Sequence, residues 1–459
     1  MNLKDLNKEV DNFRSIKKDT LRDSMVKSIY RQAEDVSKDV VEEETRKTDW
    51  DNKIDEILTS PLFGYPIMLL LLGTIFWITI TGANYPSQIL ANILFTIEDY
   101  LSTFVLGLGA PEWFHGIVVL GIYRTLAWVI SVMLPPMAIF FPLFTLLEDL
   151  GYLPRVAFNM DRLFKACGTH GKQALTMCMG FGCNAAGVIA CRIIDSPREK
   201  IIAIVTNNFV PCNGRFPTLI ALSMIFMGGL AASSGGTLLA TFVVVGMVLI
   251  GIAITLLVSF TLSKTLLKGI PSSFTLELPP YRKPQFGRII VRSILDRTIF
   301  VLGRAIVVAA PAGLVIWILA NTYIGELSVL ATCANFLDPF ARSLGMDGFI
   351  LMAFILGLPA NEIVLPILIM SYLSTGAMLE FESLNELANL FIAQGWTWLT
   401  ALSTMLFALL HFPCGTTLWT IAKETKNAKW TFFAFLMPTM VAIIVCFVVA
   451  QIVMGLGWV

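Results

Sequence analysis

Two cysteines follow prolines inside long apolar runs: Pro211-Cys212 in NNFVPCNGRFPTL and Pro413-Cys414 in ALLHFPCGTTLW. A proline within a membrane-length helix removes a donor and frees carbonyls, and hydrocarbon tolerates this only where protein or a water-filled cavity surrounds the break. A thiol beside the break adds a soft ligand for a transition-metal ion. Two further apolar stretches, 173–193 and 349–373, are interrupted by GFGCN and GLPANE. Glu362 in the second would cost about 2.5–3.5 kcal/mol on insertion scales if left unpaired, so it should face a cavity, a partner or an ion.

The candidate ion path is therefore Cys183, Asn184, Cys212, Asn213, Asn361, Glu362, His411 and Cys414. The backbone breaks that expose it are Gly180, Gly182, Pro211, Gly214, Pro359, Pro413 and Gly415. His411 and Cys414 are three apart, so a helix would put imidazole and thiol on one face. Arg215 is the opposite charge available to Glu362, while Arg124 and Arg304 read as snorkelling or anchoring groups. Scattered thiols and amides suit passage of a late first-row divalent cation, because a full tetrathiolate would not release it. Cys167, Cys191, Cys333 and Cys446 read as small apolar residues, and Cys178 fits either role.

The elements that must position these groups are membrane helices. The chain has 459 residues, 56% hydrophobic and 14% charged, with mean hydropathy +0.73. Of its 66 charged residues, 27 lie in the first 60 positions, which leaves the rest about 10% charged against roughly 25% in soluble domains. Zero net charge gives no basic face for nucleic acid. Apolar windows predict spans near 62–81, 113–145, 201–227, 238–262, 298–321, 397–421 and 431–456. The interrupted stretches suit half-helices that enter and turn back, or helices broken at the turn.

Loop charge predicts sidedness. Segments 264–297 and 155–172 are basic and should face the cytoplasm, as should the charged N-terminal tail, which has no apolar signal region. The connections 82–112, 228–236 and 375–396 lack Lys and Arg and should face outward. A re-entrant segment followed by a broken helix thus occurs twice in opposite directions, as in inverted-repeat transporters. The fold class is an all-α polytopic bundle with three parts: a cytoplasmic helical tail, 1–60; a first membrane half with gate 1, 61–270; and a second with gate 2, 271–459. In the tail, Val26, Ile29, Ala33, Val36 and Val40 form a narrow apolar stripe, either a solvated stalk or a docking helix for a soluble partner.

Several strings in order are similar to the membrane region of FeoB-type ferrous iron transporters: LLEDLGYLPRVAFNMDRL (146–163), GTHGKQAL (168–175), GFGCNAAGVIACRIIDSPREK (180–200), FVPCNGRFP (209–217), LGLPANEIVLPIL (356–368) and LHFPCGTTLWTIAKET (410–425). The resemblance runs from about Leu62 to the C-terminus. It implies paired gates in a bacterial plasma (inner) membrane, ferrous iron as the cargo, no permanently bound cofactor, pore cysteines at Cys183, Cys212 and Cys414, and Glu362 in the second gate. Where many members have a proline after the first gate asparagine, this chain has Ala185-Ala186-Gly187. The family's G domain has no counterpart here: Gly168–Lys172 followed by Gln173 lacks the spacing and hydroxyl of a phosphate loop, so the chain is not expected to be an enzyme. Expected partners are the ferrous ion, the lipid bilayer, a separate GTP-binding G-domain protein or small Feo-type accessory protein, and further copies of the chain. Competing readings are a nucleoside carrier of gate type, a membrane thiol oxidoreductase, and a sensor or assembly protein without flux.

Overall fold

The computed structural model describes residues 24–25, 28–37, 39–40, 49–60, 62–227, 234–269, 281, 284–379 and 384–457. These are helical almost throughout, and the one sheet among them is a two-residue hairpin, Tyr323–Ile324 against Leu327–Ser328. The chain is the all-α polytopic bundle that its hydropathy predicts. Among the described residues, six helices are long and apolar enough to cross a membrane. They are α2 (Gly64–Gly107), α3 (Glu112–Asp149), Leu239–Lys264 within α9 (Ser234–Lys264), Val301–Asn321 within α11 (Phe300–Asn321), the interrupted span Trp398–Thr425, and α18 (Ala428–Gly455).

Some boundaries differ from the hydropathy reading. Residues 82–107 are not a connection but the second half of α2, whose 44 residues span about 66 Å, twice the hydrocarbon thickness. Its acidic residue Glu98 is buried and accepts from Arg124 Nε of α3 at 2.8 Å, so Arg124 anchors helices rather than snorkelling. The interval after α11 holds α12 (Val329–Ser343), 15 residues long, which counts towards a seventh span only together with the next helix, Gly348–Leu356, to which it is bent by 111°. The expected outer loop 375–396 contains α15 (Leu384–Ala393); Glu380 and Glu382 lie outside the described residues, as do 228–233.

Both gate segments are re-entrant. In the first, α5 (Lys172–Gly182) stops at Cys183 and α6 (Asn184–Ala190) packs back against it. Lys172 Nζ meets Asp195 Oδ2 at 2.7 Å, so both ends of the hairpin lie at one face. In the second, α13 (Gly348–Leu356) and α14 (Val364–Leu373) flank the break at 357–360, and Tyr372 OH donates to Asp347 Oδ2 across the two ends. Broken helices follow each hairpin: α7 (Pro197–Thr206) and α8 (Phe216–Leu222), then α16 (Trp398–Leu410) and α17 (Gly415–Thr425).

Their directions are opposed. Arg192, just past α6, pairs with Glu424 at the end of α17 at 2.5 Å, which puts the mouth of the first hairpin and the end of the second broken span at the same face. Trp396, just before α16, donates to Tyr372 OH at 2.9 Å, which puts the mouth of the second hairpin at the start of that span. Since Trp398–Thr425 crosses between them, the two hairpins enter from opposite sides. Backbone geometry repeats too. Cys183 has φ −155°, ψ 125°, and Ala360 has φ −152°, ψ 123°, each directly before its gate asparagine.

The first hairpin is tied to the segment that precedes the membrane. Asp55 of α1 (Asp49–Leu58) accepts from Arg155 Nε and Nη2, both at 2.9 Å, and from Tyr281 OH at 2.6 Å. Arg155 belongs to α4 (Tyr152–Ala166), which leads into α5, and is 2% exposed. The guanidinium bond holds the Asp55 carboxyl below its usual value, and burial pushes the Tyr281 phenol up to about 12. A depressed carboxylate stabilises the fold above the ordinary aspartate range and loses that effect as pH falls through its folded value. The latch should therefore stay closed at neutral pH and open only in acid below about pH 4. Asp55→Asn should lower unfolding stability by about 1.5–3 kcal/mol at pH 7, with the deficit vanishing in acid, as measured by denaturant titration at both pH values. Of the tail stripe, Ile29, Ala33, Val36 and Val40 are exposed on helical residues, and Val26 lies outside the described residues.

Candidate functional site

The breaks of both halves meet in one place. Asn361 Nδ2 lies 3.8 Å from Cys212 Sγ, which joins the second hairpin to the first broken helix. The Glu362 carboxylate sits over Gly214, occupying the place where a β-carbon there would project. Glu362 is partly buried, and no ion pair joins it to a cation among the described residues. Cys183, Cys212 and Cys414 lie within electrostatic range of one another, and Cys212 and Cys414 within that of Glu362. Each half also closes on itself: Asn213 N donates to Gly182 O at 3.3 Å, and Gly415 N to Leu358 O at 2.6 Å.

These contacts follow from local sequence. The proline of each Pro-Cys step cannot donate, so helix α7 runs down through a 3₁₀ turn at Asn207–Phe209 and α16 stops at Leu410. The residues between then run extended, with Val210 at φ −82°, ψ 123° and His411 at φ −65°, ψ 178°. Gly182 permits the backbone to pass the Phe140 ring, which any β-carbon would overlap. Beside it, Asn213 faces a cavity of about 10 Å³ walled by Phe140, Phe141 and Phe181, about the room of one water.

The arginine expected to face Glu362 does something else. Arg215 is 1% exposed and donates through Nη1 to Asn208 O at 2.7 Å and Leu409 O at 2.8 Å. Its Nη2 reaches Asn208 Oδ1 at 3.1 Å, with His411 O and Phe412 O each at 3.2 Å. It thus satisfies carbonyls freed by both breaks. Arg304 bonds Thr420 Oγ1 at 2.8 Å, on α17.

His411 and Cys414 do not share a helical face, because residues 411–414 are the break itself. The His411 ring stacks with Phe407 and lies against Phe354 and Phe412. Its Nδ1 faces Phe407 O at 2.9 Å and Ala408 O at 3.0 Å, which requires the proton on that nitrogen. Cys414 Sγ lies 3.2 Å from Thr417 Oγ1. Among the described residues no three His, Cys, Asp or Glu groups stand close enough to hold a metal ion together. The arrangement thus offers single thiols, amides and one carboxylate instead of a closed ligand set among the described residues.

Asn207 and Asn208 have structural roles that the sequence analysis did not assign them. Asn208 Nδ2 donates to His411 O at 2.6 Å, and Asn207 Nδ2 to Asn184 O at 3.2 Å. With its amide nitrogen turned to the carbonyls, Asn184 donates to Gly180 O at 3.1 Å and Val210 O at 3.2 Å. Two adjacent amides just ahead of Pro211-Cys212 in an apolar run were the available signal.

A bundle with two oppositely inserted hairpins, each followed by a broken helix, defines a polytopic membrane protein of the gate-repeat class. The family model described as "Gate: Nucleoside recognition" matches residues 130–226 and 302–428, so each matched segment contains one hairpin and one broken helix. The model described as "Ferrous iron transport protein B C terminus" matches 244–296, between them. The chain is 31% identical over 412 residues to the Fe(2+) transporter FeoB of Staphylococcus aureus strain MSSA476, covering 87% of this chain and 59% of that protein. It is 26% identical over 442 residues to the Fe(2+) transporter FeoB of Methanocaldococcus jannaschii, covering 93% and 62%. It is also 26% identical over 448 residues to a Fe(2+) transport protein A/Fe(2+) transporter FeoB fusion protein of Porphyromonas gingivalis, covering 87% and 51%. The chain thus spans 51–62% of the length of these relatives, and no solved structure matches it. Within the gate-repeat class, the chain belongs to the FeoB-type transporters, as their membrane region.

Proposed function

We propose that this chain carries ferrous iron, or a closely similar divalent transition-metal ion, across the bacterial plasma membrane between its two inverted gates. The observation that carries this reading is the meeting of Cys212 with Asn361 and of Glu362 with Gly214, which brings sulfur, amide and carboxylate from both halves to one point. Relatives that match most of this chain are named Fe(2+) transporters, and sulfur with amide oxygen favours a late first-row cation over calcium or magnesium. The path runs past Cys183, Cys212 and Cys414. The phenylalanine-walled cavity at Asn213 is too small for a hydrated ion and is the closed constriction of this state. The basic character of segments 155–172 and 264–297 supports a cytoplasmic N-terminal stalk in this reading. Regulation comes through that stalk, from a separate G-domain protein or a small accessory protein of the kind fused in the Porphyromonas gingivalis relative.

Proteoliposomes holding the purified chain test this under anaerobic, reducing conditions. Cys212→Ser and Cys414→Ser should each slow ferrous uptake about tenfold, the loss of about 1.4 kcal/mol of ion interaction. Cys446→Ser, whose thiol bonds Ser403 O in the dry packing of α16 on α18, should leave the rate unchanged. Full rates in both gate variants would remove the thiols from the path. The description of the matched gate model favours a second reading, nucleoside transport. Competition of uptake by uridine and not by divalent metals would select it.

A further inference from the structure

Arg215 is buried without a carboxylate. Its five contacts are oxygens: four backbone carbonyls, Asn208, Leu409, His411 and Phe412, and the side-chain oxygen of Asn208. Two come from the first broken helix and three from the second. No ion pair includes it among the described residues. Burying a charge is costly unless dipoles or counter-charges surround it, so these oxygens form a cage for a cation. In transporters built from discontinuous helices, unwound carbonyls at this depth hold the coupling sodium ion or proton.

We propose that Arg215 is a tethered substitute for a coupling ion. The guanidinium fills the carbonyl cage from within the chain, holding both breaks with one group, so that no small cation need bind and leave there during a transport cycle. This rests on the transport reading above and adds to it a statement about energy coupling. The fork geometry suits the role, because its two terminal nitrogens share five acceptors and each reaches oxygens of both broken helices. Being covalently held, the charge cannot be released to either side, and a sodium gradient has nothing to act on at this site.

The purified full chain in detergent tests the cage without any transport measurement. Wild type should keep one melting midpoint when sodium is replaced by choline. Arg215→Ala should melt several degrees lower and regain part of the loss in millimolar methylguanidinium or sodium, but not in choline, which is too large for the cage. Arg215→Lys should melt above Arg215→Gln, because it keeps the charge. Should the alanine variant fail to fold, the lysine and glutamine variants decide alone. A glutamine variant as stable as the lysine variant, or a folded alanine variant indifferent to every small cation, overturns the proposal. In proteoliposomes, wild-type metal uptake should be unchanged when a sodium gradient is collapsed, and dependence on that gradient also overturns it. Absence of metal uptake by wild type would sink the transport reading alone, leaving the melting results to judge the cage.

Discussion

Alanine at position 214 is expected to reduce ferrous uptake by about a hundredfold or more, though it adds only one carbon. Gly214 lies two residues after Cys212, where the chain leaves the first break, and the Glu362 carboxylate occupies the direction of its missing side chain. A methyl group there must displace the Glu362 carboxylate from its place against the first break. Overpacking of this kind costs about 1–3 kcal/mol and turns the carboxylate away from the first break. The carboxylate then leaves the point where Cys212 meets the Asn361 amide at 3.8 Å. An ångström of displacement in a path assembled from single ligands is enough for the rate loss.

Glu362→Ala in the same chain separates the steric cause from the chemical one. The double variant has room for the methyl group, so its melting midpoint should return towards that of wild type. Its uptake should stay low, because the carboxylate itself is gone. Initial rates in proteoliposomes and melting curves of the four proteins complete the cycle. A Gly214→Ala protein that transports at the wild-type rate would mean that the meeting of Glu362 with the first break lies off the ion path.

Part of this geometry was legible in the sequence because it is written in local chemistry. Glycine and proline within apolar runs break helices wherever they stand, so the gate breaks at Pro211, Pro359 and Pro413 follow from residue type and hydropathy alone. The partners of Arg215 did not follow, for its oxygens come from residues up to 197 positions away and all but the Asn208 amide oxygen are backbone atoms, which have no signature in side-chain pattern. Charge logic suggested Glu362, and carbonyls without hydrogen-bond partners won instead. Whether each hairpin crosses or returns was equally hidden: Lys172 with Asp195, and Tyr372 with Asp347, decide it through contacts about 25 residues apart. Helix α2 was underestimated because a lack of Lys and Arg was read as an outer loop, whereas Pro86 is accommodated and Glu98 is neutralised by a partner on the next helix.

Asn208 is where these hidden contacts converge, and leucine there should destabilise the chain more than a change at any single thiol. The amide donates to His411 O at 2.6 Å and accepts from Arg215 Nη2 at 3.1 Å. Leucine matches asparagine in branching and heavy-atom count, so it leaves no cavity; its methyl groups are bulkier, and the polar part of the loss stands apart from their packing. One neutral bond contributes about 1 kcal/mol and one to a charged donor about 1.5–3, for a total of roughly 2.5–4 kcal/mol. Asn208→Asp is the informative contrast. It keeps an acceptor for Arg215 and adds an opposite charge, losing only the donor to His411 O, so it should remain more stable than the leucine variant. Denaturant or thermal unfolding in detergent gives the order. If the leucine variant were as stable as wild type, Arg215 alone would hold the two breaks together. If aspartate were the worse of the two, the bond to His411 O, and with it the unwinding of the second span, would be the dominant contact.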